Sequence, residues 1–455
     1  LHPSIAGLVT DNGLLPYWLG ALSMQALPWL DPSIAARLPF ALLLSALLAM
    51  LWYAAYHLAR TEAAQPLAFA FGGEAQPTDY ARAIADAALL ALIATLGLLQ
   101  LGHETTPELA QLAACTLYLY ALAVSPFRAT KARVATLVAL PVLAASGAAT
   151  TAVLLGIAGT VVCLRSSFDG ARNLARWIGA SALLALLVAT GLDAWAWRVD
   201  RPDKALGLVR LLIWFPWPTL PLAAWTVWRW RRHLLHRHLS IPLVSAGVAL
   251  VVSLSMGGSD RALMLALPGL AVLAAFALPT LQRSVSAAID WFSVFFFSLC
   301  ALSIWVIYLA MQTGTPPKIA ANVARLAPGF VARFSLFELI AAALGTIAWL
   351  WLVRWRTGRH RHPLWKSMVL PAAGVALNWL LLMSLWLPLL DYARSYRPLI
   401  ERLSHQLPAK VCVLAPQLSR SQLAALGVMG QWRVEREDSR RCDWQVASVP
   451  LGKEP

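Results

Sequence analysis

The chain has 455 residues, of which 59% are hydrophobic and only 13% charged, and its mean hydropathy is +0.64. A soluble domain carries roughly 25% charged residues. A chain this apolar cannot cover a water-exposed globule, whereas in a bilayer helices are free to be apolar all round. The formal net charge is +15, yet the basic clusters WRWRRHLLHRH and RWRTGRHRHPLWK each lie between two apolar runs. That placement assigns the charge to membrane topology and anionic headgroups and argues against a nucleic-acid partner.

Residues 14–30 are apolar but interrupted by Pro16 and Pro28; with Tyr17, Trp18 and Trp29 they read as an interfacial helix. Apolar runs of spanning length follow near 34–58, 82–101, 108–126, 134–148, 150–164, 175–197, 209–228, 240–256, 262–281, 287–312, 333–353 and 367–390. The expectation is therefore an all-α polytopic membrane protein with about twelve transmembrane helices. With residue 30 outside, the loops carrying Arg128, Lys131 and Arg133, Arg165 to Arg176, Arg229 to Arg237 and Arg354 to Lys366 face inward. Outward loops carry fewer basic residues, among them Arg198, Arg201, Lys204, Lys318 and Arg325. This orientation satisfies the positive-inside rule and places 391–455 in the periplasm of a bacterial inner membrane.

Three regions follow: an outer-loop remnant with the interfacial helix at 1–33, a transmembrane domain at 34–390 and a small α/β appendage at 391–455. The chain starts at Leu1 on the outer side with no charged leader and cleavage site, so an upstream segment holding a first span is expected. In the appendage, VCVLAP (411–416), SQLAALGVMG (421–430) and CDWQVASV (442–449) read as strand, helix and strand. The segment is short for a core of its own. Cys412 and Cys442 stand near the two strand starts, and in an oxidising compartment they read either as a disulfide or as two free thiols. Cys115, Cys163 and Cys300 lie in apolar runs as small core residues.

Polar residues at the outer ends of spans are the places for chemistry, because ionisable groups are costly at a membrane and often functional. Asp11-Asn12-Gly13 offers a carboxylate or is simply a turn. His103 and Glu104 sit in a very short outer loop, where they serve a site or close the loop before Thr106-Pro107 opens the next helix. Asp260 and Arg261 either belong to the site or act as a helix cap and a snorkelling cation. Asp391, Arg394 and Arg397 mark the exit of the last span, as site residues or as anchors. Together these are carboxylates, an imidazole and guanidiniums at one depth. Arginine grips phosphate through two parallel hydrogen bonds. Carboxylates suit proton abstraction or a divalent cation, for which His103, Glu104, Asp260 and Asp391 are the candidates.

Leu15-Pro16-Tyr17-Trp18 followed by Ala35-Ala36-Arg37-Leu38-Pro39 resembles the segment after the first outer loop of polyprenyl-phosphate-dependent GT-C glycosyltransferases. The likeness is to the aminoarabinose (lipid A) transferases and the related protein mannosyltransferases. FPWPTLPLAAW at 215–225 matches their Trp-Pro element. SDRALMLALPGLAVLAA at 259–275 is similar to their Arg-Tyr-x-x-Pro helix, with Ala262 in place of Tyr. AIDWFSVFFFSLCALSIW at 288–305 and GTPPKIAANVARLAPGF at 314–330 resemble their later half. The resemblance implies a GT-C-like fold and transfer of a sugar from a polyprenyl-phosphate donor to a lipid, glycan or protein acceptor at the outer face. It implies that Arg261 sits near the donor phosphate; Arg394 and Arg397 are further phosphate-binding candidates by their guanidinium chemistry alone, with no family role assigned to them. The family's Asp-Glu motif is absent from this chain, and Asp11-Asn12-Gly13 replaces a Glu-Lys-Pro-like sequence. The catalytic carboxylate is therefore expected upstream, with Asp11 the candidate within the chain. Two other classes stay open: a lipid-linked sugar flippase and a non-catalytic GT-C relative.

Overall fold

The computed structural model describes residues 3–5, 7–9, 13–65, 76–195, 205–357, 367–436 and 442–447. Asp11 lies outside them. A short antiparallel pair, β1 (Ser4–Ile5) and β2 (Leu8–Val9), precedes α1 (Leu15–Ala26) and α2 (Pro32–Ala59). Next come α3 (Pro77–Ile93), α4 (Leu96–Leu101), α5 (Pro107–Val124), α6 (Ala129–Ala145), α7 (Ala149–Leu164) and α8 (Asp169–Gly191). They are followed by α9 (Ala205–Trp214), α10 (Thr219–Arg229), α11 (Arg237–Ser255), α12 (Asp260–Met264) and α13 (Leu267–Ala277). The remaining helices of the apolar region are α14 (Arg283–Thr313), α15 (Pro317–Leu326), α16 (Leu336–Thr357) and α17 (Val369–Leu381), with α18 (Leu387–Arg394) after one π-turn. The chain closes with α19 (Arg397–Ser404), β3 (Cys412–Leu414), α20 (Arg420–Val428), β4 (Arg433–Glu435) and β5 (Trp444–Gln445). Proline within the first two positions opens α1, α2, α3, α5 and α15, where its missing N–H costs nothing and its φ is already helical.

The expected twelve spans are not all reproduced as long continuous helices. Among the described residues, seven helices are long and apolar enough to cross a membrane, or eight if one bent pair is a single span. The other apolar runs are broken or short. Residues 82–101 divide at Ala94-Thr95. The runs 134–148 and 150–164 are the separate helices α6 and α7, of 17 and 16 residues, joined by a turn where Gly147 has φ +91°. Residues 262–281 split into the end of α12, α13 and a 3-10 turn, so that α13 is only 11 residues long. In 209–228, the sequence Pro216-Trp217-Pro218 bends Leu206–Trp214 and Thr219–Arg229 by 87°. Proline and glycine interrupt the backbone ladder that a continuous span needs.

Residues 12–300 and 346–379 form a larger compact unit; residues 1–11, 301–345 and 380–455 form a smaller one. The core of the larger unit is rich in alanine: Ala54, Ala55, Ala81, Ala85, Ala88, Ala139, Ala271 and Ala274 are buried, while Leu183, Leu187, Phe295 and Trp351 face outward. Small inward residues let helices approach closely, and large apolar residues suit lipid. At the α3–α4 break, Leu96 and Gly97 donate backbone N–H bonds to Trp217 O (3.1 Å) and Phe215 O (2.7 Å). A side chain on Gly97 would run into the Phe215 ring, so only glycine permits this junction.

Arg237, at the start of α11, is 8% exposed. Its guanidinium donates to Leu122 O at the end of α5 (2.7 Å) and to the hydroxyls of Ser125 and Ser166 (3.1 Å each). It also lies over the Phe168 ring at 5.8 Å. A cation beside the negative end of α5 is favourable, and it ties that end to the turn after α7.

In the smaller unit, β4, β3 and β5 form a parallel sheet in that order, with α20 crossing between β3 and β4. Sequence reasoning did not anticipate β4. A reciprocal Ser419–Gln422 capping box opens α20. Contrary to the expectation from its length, this segment has a core: Ile400, Val413, Ala415, Leu423, Leu426 and Trp432 are buried together. Cys412 and Cys442 form a disulfide with Cα atoms 4.8 Å apart.

Two outcomes test this packing. Arg237→Ala leaves the Leu122 carbonyl and two hydroxyls without their charged donor and should cost about 2–4 kcal/mol, read from thermal unfolding in detergent. The disulfide closes a loop of sequence separation 30. Its removal by paired Cys→Ser substitution should cost the small sheet about 3 kcal/mol, read as faster limited proteolysis of 405–447.

Candidate functional site

The site is built where three broken elements of the larger unit converge. Gly257 and Gly258, at φ +71° and +85°, turn the chain out of α11, and Ser253 Oγ holds the carbonyl of Ser259 at 2.7 Å. Ser259 then caps α12 by accepting from Ala262 N at 3.3 Å. Asp260, a cap candidate by its position in the sequence, does not fill that role. It is instead the first helical residue, where its carboxylate accepts the Arg261 N–H at 2.8 Å. That turn fixes Arg261.

The Arg261 guanidinium bridges two carboxylates, donating to Glu104 Oε2 and Glu108 Oε2 at 3.1 Å each. Glu104 stands in the loop after α4, with its N–H on Leu101 O at 3.2 Å. Glu108 is in the first turn of α5, where a negative charge complements the helix dipole. Burial works against the charged guanidinium, but the two carboxylates outweigh it and raise the Arg261 pKa, keeping the group ionised. Side-chain exposure falls from 42% at Arg261 and 34% at Glu104 to 16% at Glu108, so the Glu108 contact is the less screened.

Glu108 and Arg261 form one wall of a cavity of about 130 Å³. Gln111, Thr150, Thr151 and Ser259 add polar groups, and Val252, Met256 and Leu265 add apolar ones. Gln111 donates to Ser146 O at 2.7 Å across the α6–α7 turn. Gly13 packs directly on that turn; a Cβ there would collide with Ala145 O and Gly147 N, which requires glycine in the Asp-Asn-Gly segment. The buried hydroxyls of Thr106 and Ser146, flanking this wall in sequence, have no hydrogen-bond partner among the described residues. A polar ligand or water is the usual complement of such groups.

Of the candidates read from the sequence, Glu104 and Arg261 are thus brought together, with Asp260 beside them. His103 turns its ring to Trp379, centroids 4.4 Å apart, and its Nδ1 lies 3.3 Å from Leu99 O. Tyr17 and Trp18 lie on α1, whose Ser23 hydroxyl donates to Ala35 O of α2 at 2.6 Å. Asp391, Arg394 and Arg397 are exposed on α18 and α19, in the smaller unit. Glu108 and Gln111 were missed. Their signal was present in Pro107-Glu108-x-x-Gln111, a first helical turn with two polar groups three apart on one face. Among the described residues, the acidic groups here form no three-ligand metal set; the one such group is Cys412, Glu435 and Cys442, whose sulfurs are in the disulfide.

A double-mutant cycle in detergent checks the unequal screening. Arg261 with Glu108 should couple by about 1 kcal/mol, and Arg261 with Glu104 by less than about 0.5 kcal/mol.

No protein-family model matches the chain, and no curated protein matches it in sequence. Among solved structures, it is similar to ArnT from Cupriavidus metallidurans bound to undecaprenyl phosphate, with a TM-score of 0.62 and 13% identity over 95% of this chain and 77% of that one. ArnT in the apo state gives a TM-score of 0.59 and 13% identity over 95% of this chain and 80% of the other. The chain has the fold of the ArnT crystal structures.

Proposed function

We propose that this chain is a glycosyltransferase of a bacterial inner membrane. It moves a sugar from a polyprenyl-phosphate donor to a lipid A-like, glycan or protein acceptor at the periplasmic face. The observation that carries the reading is Arg261, charged, half-withdrawn from water and held by Glu104 and Glu108 at the edge of a cavity lined by both polar and apolar groups. The fold adds support, since one of its crystallographic relatives is bound to undecaprenyl phosphate.

The chemistry is a displacement at the anomeric carbon. An acceptor oxygen forms the new bond, the bond from carbon to phosphate oxygen breaks, and the lipid phosphate leaves with the electron pair. Arg261 offers a fixed guanidinium fork to the negative charge that grows on that phosphate. A carboxylate accepts the acceptor's proton; Asp11 is the sequence's candidate. Glu104 and Glu108 position the arginine. Charge compensation falls to Arg261.

A transport reading draws on one feature, the 87° break between Leu206–Trp214 and Thr219–Arg229, since broken helices recur in carriers. Reconstituted protein discriminates the two. With a labelled polyprenyl-phosphate sugar and an acceptor, the transferase reading expects product. Arg261→Ala should lower the rate about 100- to 1,000-fold, and Arg261→Lys should recover only part of it. Movement of the label across liposomes without acceptor, and no product with it, overturns the reading.

A further inference from the structure

The connector between α14 and α16 is an amphipathic element that transfer chemistry does not use. Both helices are long and apolar enough to cross a membrane, so 314–335 begins and ends at the same bilayer face. Its helix α15 has no buried residue. Ile319, Val323 and Leu326 recur at four and three residues and form an apolar stripe. Lys318, Asn322 and Arg325 repeat the spacing one position earlier and form an exposed polar stripe, with Arg325 donating to Asn322 Oδ1 at 3.3 Å. Leu326 is 80% exposed, and the apolar exposure continues through Val331 (78%) and Phe334 (63%) to Phe337 (82%) at the start of α16.

Two contacts hold this connector within its unit. The Tyr392 hydroxyl donates to Pro328 O at 2.6 Å, with its ring 5.6 Å from that of Phe330. Gln312 Nε2 donates to Arg333 O at 3.3 Å, tying the end of α14 to the approach of α16. Gly329, at φ +81°, makes the turn that the tyrosine covers.

We propose that α15 lies in the plane of an anionic bilayer surface. Ile319, Val323 and Leu326 are immersed at the acyl boundary, and Lys318 and Arg325 rest on lipid phosphates. Three observations select lipid as the occupant. Exposed apolar residues recur from Leu326 through Val331 and Phe334 to Leu336 and Phe337 of a spanning helix, the charged residues of α15 are both cationic, and its two ends are bounded by spans. A helix with apolar and basic faces at that boundary gains from apolar burial and from attraction to anionic headgroups. The inference rests on the chain being a membrane protein and not on its transfer activity.

Site-directed spin labels in nanodiscs read the arrangement. In a Cys300→Ser background, with Cys115 and Cys163 buried and Cys412–Cys442 bonded, single cysteines replace Val323, Leu326 or Asn322 in the full chain. The expected result is an oxygen-to-nickel-chelate accessibility ratio several-fold higher at 323 and 326 than at 322. The ratio should be higher with phosphatidylglycerol than with phosphatidylcholine alone. Equal ratios at the three positions overturn the proposal, as does shielding of 323 and 326 from both reagents, which would mean a protein covers them. A ratio indifferent to lipid charge overturns the headgroup contact. Since the readout is lipid contact, none of these results bears on the transferase reading, which the product assay decides.

Discussion

In hydrocarbon, a helix gains little from burying one apolar side chain against another, because lipid tails are equally apolar. Helices there are held by close backbone approach and by hydrogen bonds that water is not present to replace. The larger unit follows that constraint. Its interior is lined with alanines, its outward faces carry leucine, phenylalanine and tryptophan, and one of its tight junctions is Gly97 against Phe215. That junction makes the α3–α4 break possible, and the break sends the chain through the short α4 to Glu104.

The same constraint explains where polar residues stand. Arg237 is buried without a carboxylate, yet its hydrogen bonds go to the end of α5 and to two serines, groups whose partial charges are fixed by helix and turn geometry. Arg261 is different. It is partly exposed, carries two carboxylate partners and borders a cavity. Arg237 is met by helix-end and hydroxyl dipoles at near-full burial, whereas Arg261 keeps an open side and two compensating carboxylates. The contrast separates two arginines that look alike in sequence, each at the start of a helix.

Breaks in apolar runs were only half legible. Gly147, Pro216 and Pro218 are visible breakers, yet Ala94-Thr95 carries no such residue, and its division follows from the two bonds that Leu96 and Gly97 give to the 215–217 segment. Counting apolar runs therefore gave more spans than there are long apolar helices among the described residues, because run length does not report a bend imposed by a distant carbonyl. The acidic partners of Arg261 escaped for a related reason. Glu108 reads as the polar start of an apolar helix, and its distance from Arg261 in the chain hides a contact of 3.1 Å.

By itself the sequence determined the medium, the helical class and the candidate status of Glu104 and Arg261, since composition, periodicity and the polar ends of apolar runs are local properties. It also placed Cys412 and Cys442 at strand starts while leaving their pairing open. Only the tertiary structure decided that Glu104 and Glu108 share one guanidinium, that Ser259 and not Asp260 caps the helix behind it, and that Asp391, Arg394 and Arg397 belong to a different unit. Those facts depend on which carbonyls, turns and small residues meet across the bundle. Such meetings are made by closure of the whole chain, and no stretch of sequence contains them.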